Sequence, residues 1–182
     1  MEKNDIITFF AFSADKKPGQ GVGEFVADPK LYIELEHIPH WRRVFSSLWD
    51  NEAFEHICLD GAKRRFKSVC HALNAEKFLF AGYKDIAVSF SLDSNSELGK
   101  ASGLTAHKAR KIVKIKEEII TEWWEIEKEI KRKIYLSRYS KGLARKVMLA
   151  TGNAELWNRG PRITTIRCTS LEAIREEIRN CM

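Results

Sequence analysis

The spacing of apolar and polar positions splits the chain into a short β-rich opening and a longer helical remainder. Ile6-Ile-Thr-Phe-Phe-Ala-Phe12 is a β-branched and aromatic run of strand length. Pro18, Gly19, Gly21 and Gly23 break all periodicity between Ser13 and Glu24, so that stretch is a loop. Its length suits a ligand-wrapping segment as well as a connection. The glycine spacing fits neither a P-loop nor a dinucleotide fingerprint. Asp28 to Glu36 reads as a short helix entered at Asp28-Pro29 and stopped by Pro39. Ala53 to Leu59 reads as a strand closed by a turn at Asp60-Gly61. The adjoining Lys63-Arg64-Arg65 either meets water or touches a phosphate.

A helix is expected to begin at Ser68, whose hydroxyl suits an N-cap. Val69, Ala72, Leu73 and Phe80 recur at helical spacing and predict a core-facing side. Cys70, Asn74 and Lys77 lie at i, i+4 and i+7 and share another face. A thiol, an amide and an ammonium in one row form either the wall of a polar pocket or a solvated stripe. Phe90 to Leu98 offers a cap and a new helical turn. The small residues from Gly99 to Gly103 allow a ligand or another backbone to approach closely.

The most regular pattern is Ile112, Ile115, Ile119, Trp123, Ile126, Ile130 and Ile134, spaced 3, 4, 4, 3, 4 and 4. It predicts one amphipathic helix whose stripe faces a core or a partner helix. Isoleucine is a modest helix former, so packing must hold the helix. Glu127 and Lys131 are placed for an i,i+4 pair. Another helix is expected from Lys141 to Gly152, with Leu143, Val147 and Met148 inward and a glycine C-cap. Trp157 to Pro161 reads as a turn and Ile163 to Cys168 as an extended segment. A closing helix over Leu171–Ile178 follows Ser170; it lacks a capping box at Ala173, while Glu172 suits its first turn.

Length and composition narrow the class. At 182 residues the chain is expected to form one domain, 1–182, with an N-terminal strand and loop over 1–40 and a core over 41–182. No apolar run reaches the roughly 18 residues of a membrane span, and Met1 to Asp5 lacks the apolar stretch of a secretory signal. Cys58, Cys70, Cys168 and Cys181 are scattered without CxxC spacing. Free thiols in a cytoplasmic protein fit this better than a disulfide framework or a zinc site. No cofactor motif is present. The net charge of +6 favours anionic partners, phosphorylated ligands or nucleic acid among them.

Ser68-Val-Cys-His-Ala-Leu-Asn-Ala-Glu-Lys77 resembles the signature of the NADAR (YbiA-like) family, Ser-Val-Glu-His-x-x-Gln-Ala-x-Lys. Ser68, Val69, His71, Ala75 and Lys77 match it. The opening stretch from Phe9, through Ser13-Ala-Asp-Lys16-x-Pro-Gly-x-Gly-x-Gly-Glu24, is similar to the variant known from large DNA viruses and some eukaryotes. Counterparts also exist for Trp41-Arg-x-Val44, Leu48-Trp49, Leu59-Asp60-Gly61 and Phe90-Ser-Leu-Asp-Ser94. The same holds for Met148-Leu-Ala-Thr151, Arg159-Gly160-Pro161 and Ile166-Arg167. The resemblance covers nearly the whole chain, and its order of motifs is more specific than any one of them.

The resemblance implies a compact, mainly helical α+β domain that hydrolyses an N-glycosidic bond between ribose and nitrogen. Its substrate classes are phosphorylated riboflavin-pathway intermediates and ADP-ribosyl adducts, including those on guanine in nucleic acid. An oxocarbenium-like transition state needs a carboxylate to stabilise charge or activate water. Basic groups must meet the phosphates and aromatic faces the base. By resemblance, Trp49, His71, Asn74, Lys77 and Trp123 would contact the ligand, Trp123 falling where bacterial members carry a tryptophan.

Two departures change that picture. Cys70 stands at the glutamate position and Asn74 at the glutamine position. A thiol with an ordinary pKa of about 8.5 is mostly neutral at pH 7 and a poor base. The family's late Trp-Gly…Asn-x-Leu-Gly segment and its acidic neighbour are also missing, which leaves Asp60, Asp93 and Glu97 as replacement carboxylates. Two readings follow. One is a domain without catalysis that binds a ligand, nucleic acid or protein partners in a larger assembly, a viral particle included. The other is an active N-glycosidase with altered chemistry.

Overall fold

The computed structural model describes residues 4–161 and 163–181. Its first elements are β1 (Ile6–Phe9), a 3-10 turn over Pro29–Tyr32, α1 (Ile33–Glu36) and a 3-10 segment over Trp41–Phe45. Then come β2 (Phe54–Ile57), β3 (Lys63–Phe66), α2 (Val69–Phe80), α3 (Lys84–Ser89), α4 (Glu97–Lys100) and α5 (Gly103–Lys108). The chain closes with α6 (Glu117–Tyr139), α7 (Gly142–Ala150), β4 (Glu155–Asn158), β5 (Ile166–Arg167) and α8 (Thr169–Asn180). With 51% helix and 11% strand the fold is α+β and mainly helical. No helix among the described residues is long and apolar enough to cross a membrane. Two compact units are present, Met1–Ser46 with Tyr139–Met182, and Ser47–Arg138.

In the first unit β4 lies between β1 and β5, parallel to β1 and antiparallel to β5. The β1–β4 register runs from Ile6↔Glu155 to Phe9↔Asn158. Ile7, Phe9 and Leu156 are buried. Phe45 packs its ring 5.5 Å from Phe9 and 6.2 Å from Tyr139, whose hydroxyl donates to the Val44 carbonyl at 3.2 Å. α7 buries Ala144, Val147 and Met148, and α8 buries Leu171, Ile174 and Ile178, each one stripe of an amphipathic helix. Gly152 ends α7 with φ +54°, the left-handed conformation a C-cap glycine supplies. The expected turn from Trp157 is a strand end instead. Pairing with β1 holds Trp157 extended, and its indole donates to Glu155 at 2.9 Å.

The second unit starts with the expected hairpin. β2 and β3 pair from Phe54↔Phe66 to Ile57↔Lys63, and Gly61 takes φ +77° in the turn. Ser68 caps α2 by accepting from the His71 amide. The isoleucine pattern gives α6, with Trp123, Ile130 and Ile134 buried and Ile115 buried just ahead of it. The helix itself starts at Glu117, so Ile112 precedes it and is 59% exposed. Lys131 lies 5.7 Å from the Tyr135 ring, and among the described residues it makes no ion pair with Glu127. The small-residue segment admits backbone: a Cβ at Gly99 would sit 2.2 Å from the Ser91 carbonyl oxygen, and one at Gly103 2.1 Å from that of Leu48.

Candidate functional site

The signature helix carries its polar residues inward. Cys70 is buried, with Sγ 3.5 Å from Ser47 Oγ and 4.0 Å from His107 Nδ1 of α5. Burial pushes its thiol above the ordinary value, against smaller opposing effects of the Ser47 bond and the Lys131 and Arg110 charges. The group is therefore held as a neutral thiol at pH 7, a poor base and a poor nucleophile. Asn74 is also buried and donates to the Ala106 carbonyl at 2.8 Å. Cys70 and Asn74 thus both face α5.

His71 is fully buried between Ser68 Oγ, 2.8 Å from Nδ1, and the Leu98 carbonyl, 3.2 Å from Nε2. Desolvation lowers its pKa to about 4, so the ring is neutral at pH 7. Trp123 is 2% exposed and packs 5.8 Å from the Phe80 ring. Trp49 is half-buried, and its indole N–H is buried without a hydrogen-bond partner among the described residues. Lys77 is half-buried. Among the described residues no carboxylate pairs with its ammonium.

The three acids named as replacements are engaged or solvated. Asp60 takes two bonds from Arg64, both at 2.7 Å, which hold its pKa down to about 2. Asp93 accepts from Arg65 N at 2.7 Å and Nε at 3.2 Å. Glu97 is exposed in the first turn of α4.

A cavity of about 340 Å³ lies in the first unit. That is at the lower end of the roughly 300–1,000 Å³ typical of small-ligand sites. β1 and β4 run parallel, so the residues that leave their carboxyl ends emerge side by side. Phe10, Phe12 and Ser13 come from β1, and Arg159, Gly160 and Pro161 from β4. The remaining wall is Thr8, Ala14, Lys16, Gly21, Val22 and Arg42. Crevices at the carboxyl ends of parallel strands are the usual ligand sites of open sheets.

Glu24 shapes this wall from behind. Its side chain is fully buried and accepts from Thr8 N at 3.1 Å, Gly19 N at 2.9 Å and Gly21 N at 2.8 Å. Arg42 adds Nε at 2.9 Å and Nη2 at 2.7 Å, and ties down the loop by donating to the Lys16 and Lys17 carbonyls. The 13–24 loop is therefore wrapped around a carboxylate of its own. With five close donors on two oxygens, and the Thr8 hydroxyl at 3.5 Å besides, Glu24 has no lone pair to spare for a water. Arg42 is neutralised by it.

Two cations at the cavity are not neutralised. Lys16 and Arg159 both line it and are exposed, and among the described residues neither meets a carboxylate. Gly23, at φ +77°, makes room for Arg159: a Cβ there would lie 2.0 Å from Arg159 Nη1. Gly160 does the same for Phe10, with a Cβ 2.4 Å from its ring. Phe10 and Phe12 meet edge to face at 5.6 Å, and Phe12 is 64% exposed. The cavity thus joins two available cations to aromatic surface, with no acid among its lining residues.

Local sequence signals do not find this site. The loop and Arg159-Gly160-Pro161 stand out as separate stretches more than 130 residues apart in numbering. Only the parallel β1–β4 register joins them. Compared with known proteins, the chain matches no protein-family model, no curated protein and no solved structure.

Proposed function

We propose that this chain is a divergent NADAR-like binding domain that holds a phosphorylated ribosyl ligand in the loop cavity and does not hydrolyse it. The observation that carries the reading is the charge arrangement around Glu24. The carboxylate behind the cavity wall, Glu24, is saturated by Arg42 and three backbone amides. Lys16 and Arg159 remain for a phosphate, and Phe10 and Phe12 for a ring. Glycosidic hydrolysis needs a carboxylate free to stabilise an oxocarbenium ion or to activate water. The signature helix supplies none, since Cys70 is a buried neutral thiol at the family glutamate position.

The alternative is an active N-glycosidase working at the signature helix. A direct assay separates the two. The protein is incubated with ADP-ribosylated guanosine and with phosphorylated riboflavin-pathway intermediates, and products are resolved by liquid chromatography. The binding reading expects no cleavage of the ribose–nitrogen bond. Turnover that Lys77→Ala abolishes would establish the enzyme instead.

A further inference from the structure

The second unit meets its cations in two ways. In the hairpin, Lys63 pairs with Glu55 at 2.9 Å, Arg64 with Asp60 at 2.7 Å and Arg65 with Asp93 at 3.2 Å. That basic cluster is neutralised within the fold. Between α5 and α6 the opposite holds. Lys108, Arg110, Lys111, Lys114 and Lys116 fall within nine residues, and no acid occurs from 107 to 116. All five are exposed. Among the described residues none meets a carboxylate; the Arg110 guanidinium donates only to the His107 carbonyl, at 2.8 Å. Ile115, 9% exposed, is turned inward between Lys114 and Lys116.

Five like charges in so short a segment repel one another unless an external anion gathers them. We propose that residues 108–116 dock the phosphate backbone of nucleic acid, without reading base sequence. A repeating polyanion satisfies five cations at once, and release of its counterions drives the association. A membrane surface fits less well. Interfacial binding needs an apolar face to insert. Here Ile115 is buried, Val113 half-buried, and Ile112 the one large apolar side chain of the segment that stands exposed. This surface is independent of the loop cavity and of what the cavity binds.

The test is fluorescence anisotropy with a labelled 20-base-pair DNA duplex between 50 and 200 mM salt. Contacts to three to five phosphates predict that affinity falls by about 40- to 500-fold across that range. Lys111→Glu/Lys114→Glu should weaken binding at 50 mM salt by at least about tenfold and flatten the salt slope by about two. Lys111→Gln/Lys114→Gln should give a smaller loss in the same direction. The control Lys128→Glu/Lys133→Glu, also at exposed positions, makes the same change in net charge on α6 and should bind within about threefold of wild type. Absence of saturable binding at 50 mM salt would overturn the proposal. So would an equal loss in the α6 control, or binding to vesicles of acidic lipid without binding to the duplex.

Discussion

Arg42 grips both carboxylate oxygens of Glu24, through Nε at 2.9 Å and Nη2 at 2.7 Å, with the two side chains 3% and 0% exposed. Removing one partner leaves the other buried without compensation, a loss of about 3–5 kcal/mol. Glu24→Gln should lower stability in urea by that amount and free the glycine loop. The double variant Glu24→Gln/Arg42→Met should recover part of it. A Glu24→Gln loss below about 1 kcal/mol would mean that the loop is held by other contacts.

Gly23 and Arg159 form a second dependent pair. Alanine at position 23 would be strained at φ +77° and would push aside the Arg159 guanidinium, the exposed end of a flexible side chain. Gly23→Ala and Arg159→Ala should therefore both weaken binding of a phosphorylated ligand, each by about tenfold or more, since a hydrogen bond to a charged group is worth about 1.5–3 kcal/mol. Arg159→Ala should leave the melting temperature nearly unchanged, because the side chain is exposed. Calorimetric titration beside thermal melting checks both.

His71 sets a pH dependence. Its folded pKa is lowered to about 4 from 6.5, so the unfolded chain binds the extra proton between those values. Stability from this group is fully present above pH 6.5 and is lost as pH falls toward 4, by at most roughly 3–4 kcal/mol. Asp60, lowered from 3.8 to about 2, loses its contribution only below that window. Urea melts from pH 7 to pH 4 should show the decline. His71→Asn should flatten it while lowering stability at pH 7. An unchanged slope in the variant would assign the decline to other groups.

Cys70→Glu tests whether a glutamate at this position, where the NADAR signature that the stretch resembles carries one, confers chemistry. The position is buried against Ser47 and His107. A carboxylate there is desolvated, at a cost of several kcal/mol or of a raised pKa that keeps it protonated. The variant should melt lower and gain no glycosidase activity. A gain in turnover would show that only the glutamate was missing.

Short-range signals in the sequence carry much of the fold. Ser68 reveals the start of α2, Gly152 the end of α7, and Asp60-Gly61 the hairpin turn, because each acts on neighbours a few residues away. The isoleucine period reveals α6 but extends it too far, since periodicity marks a buried side and not a hydrogen-bonded start. Ile115 is buried ahead of the helix. The signature row of Cys70 and Asn74 is visible in sequence as a shared face, yet nothing local shows that α5 covers it. Glu24 was legible only as the end of a glycine loop. Its role depends on Arg42 and Thr8, which are distant in sequence and brought close by the fold.

The loop cavity is proposed to bind a phosphorylated ribosyl ligand and to leave it intact. Isothermal titration of ADP-ribosylated guanosine, which carries the ribose–nitrogen bond in question, into wild type, Arg159→Ala and Lys16→Ala, with recovery of the ligand, tests binding and non-cleavage together. The expected result is one saturable site in wild type, about tenfold weaker binding in each variant, and ligand recovered unchanged. Binding that both variants retain at full strength, or no binding by wild type, would contradict it.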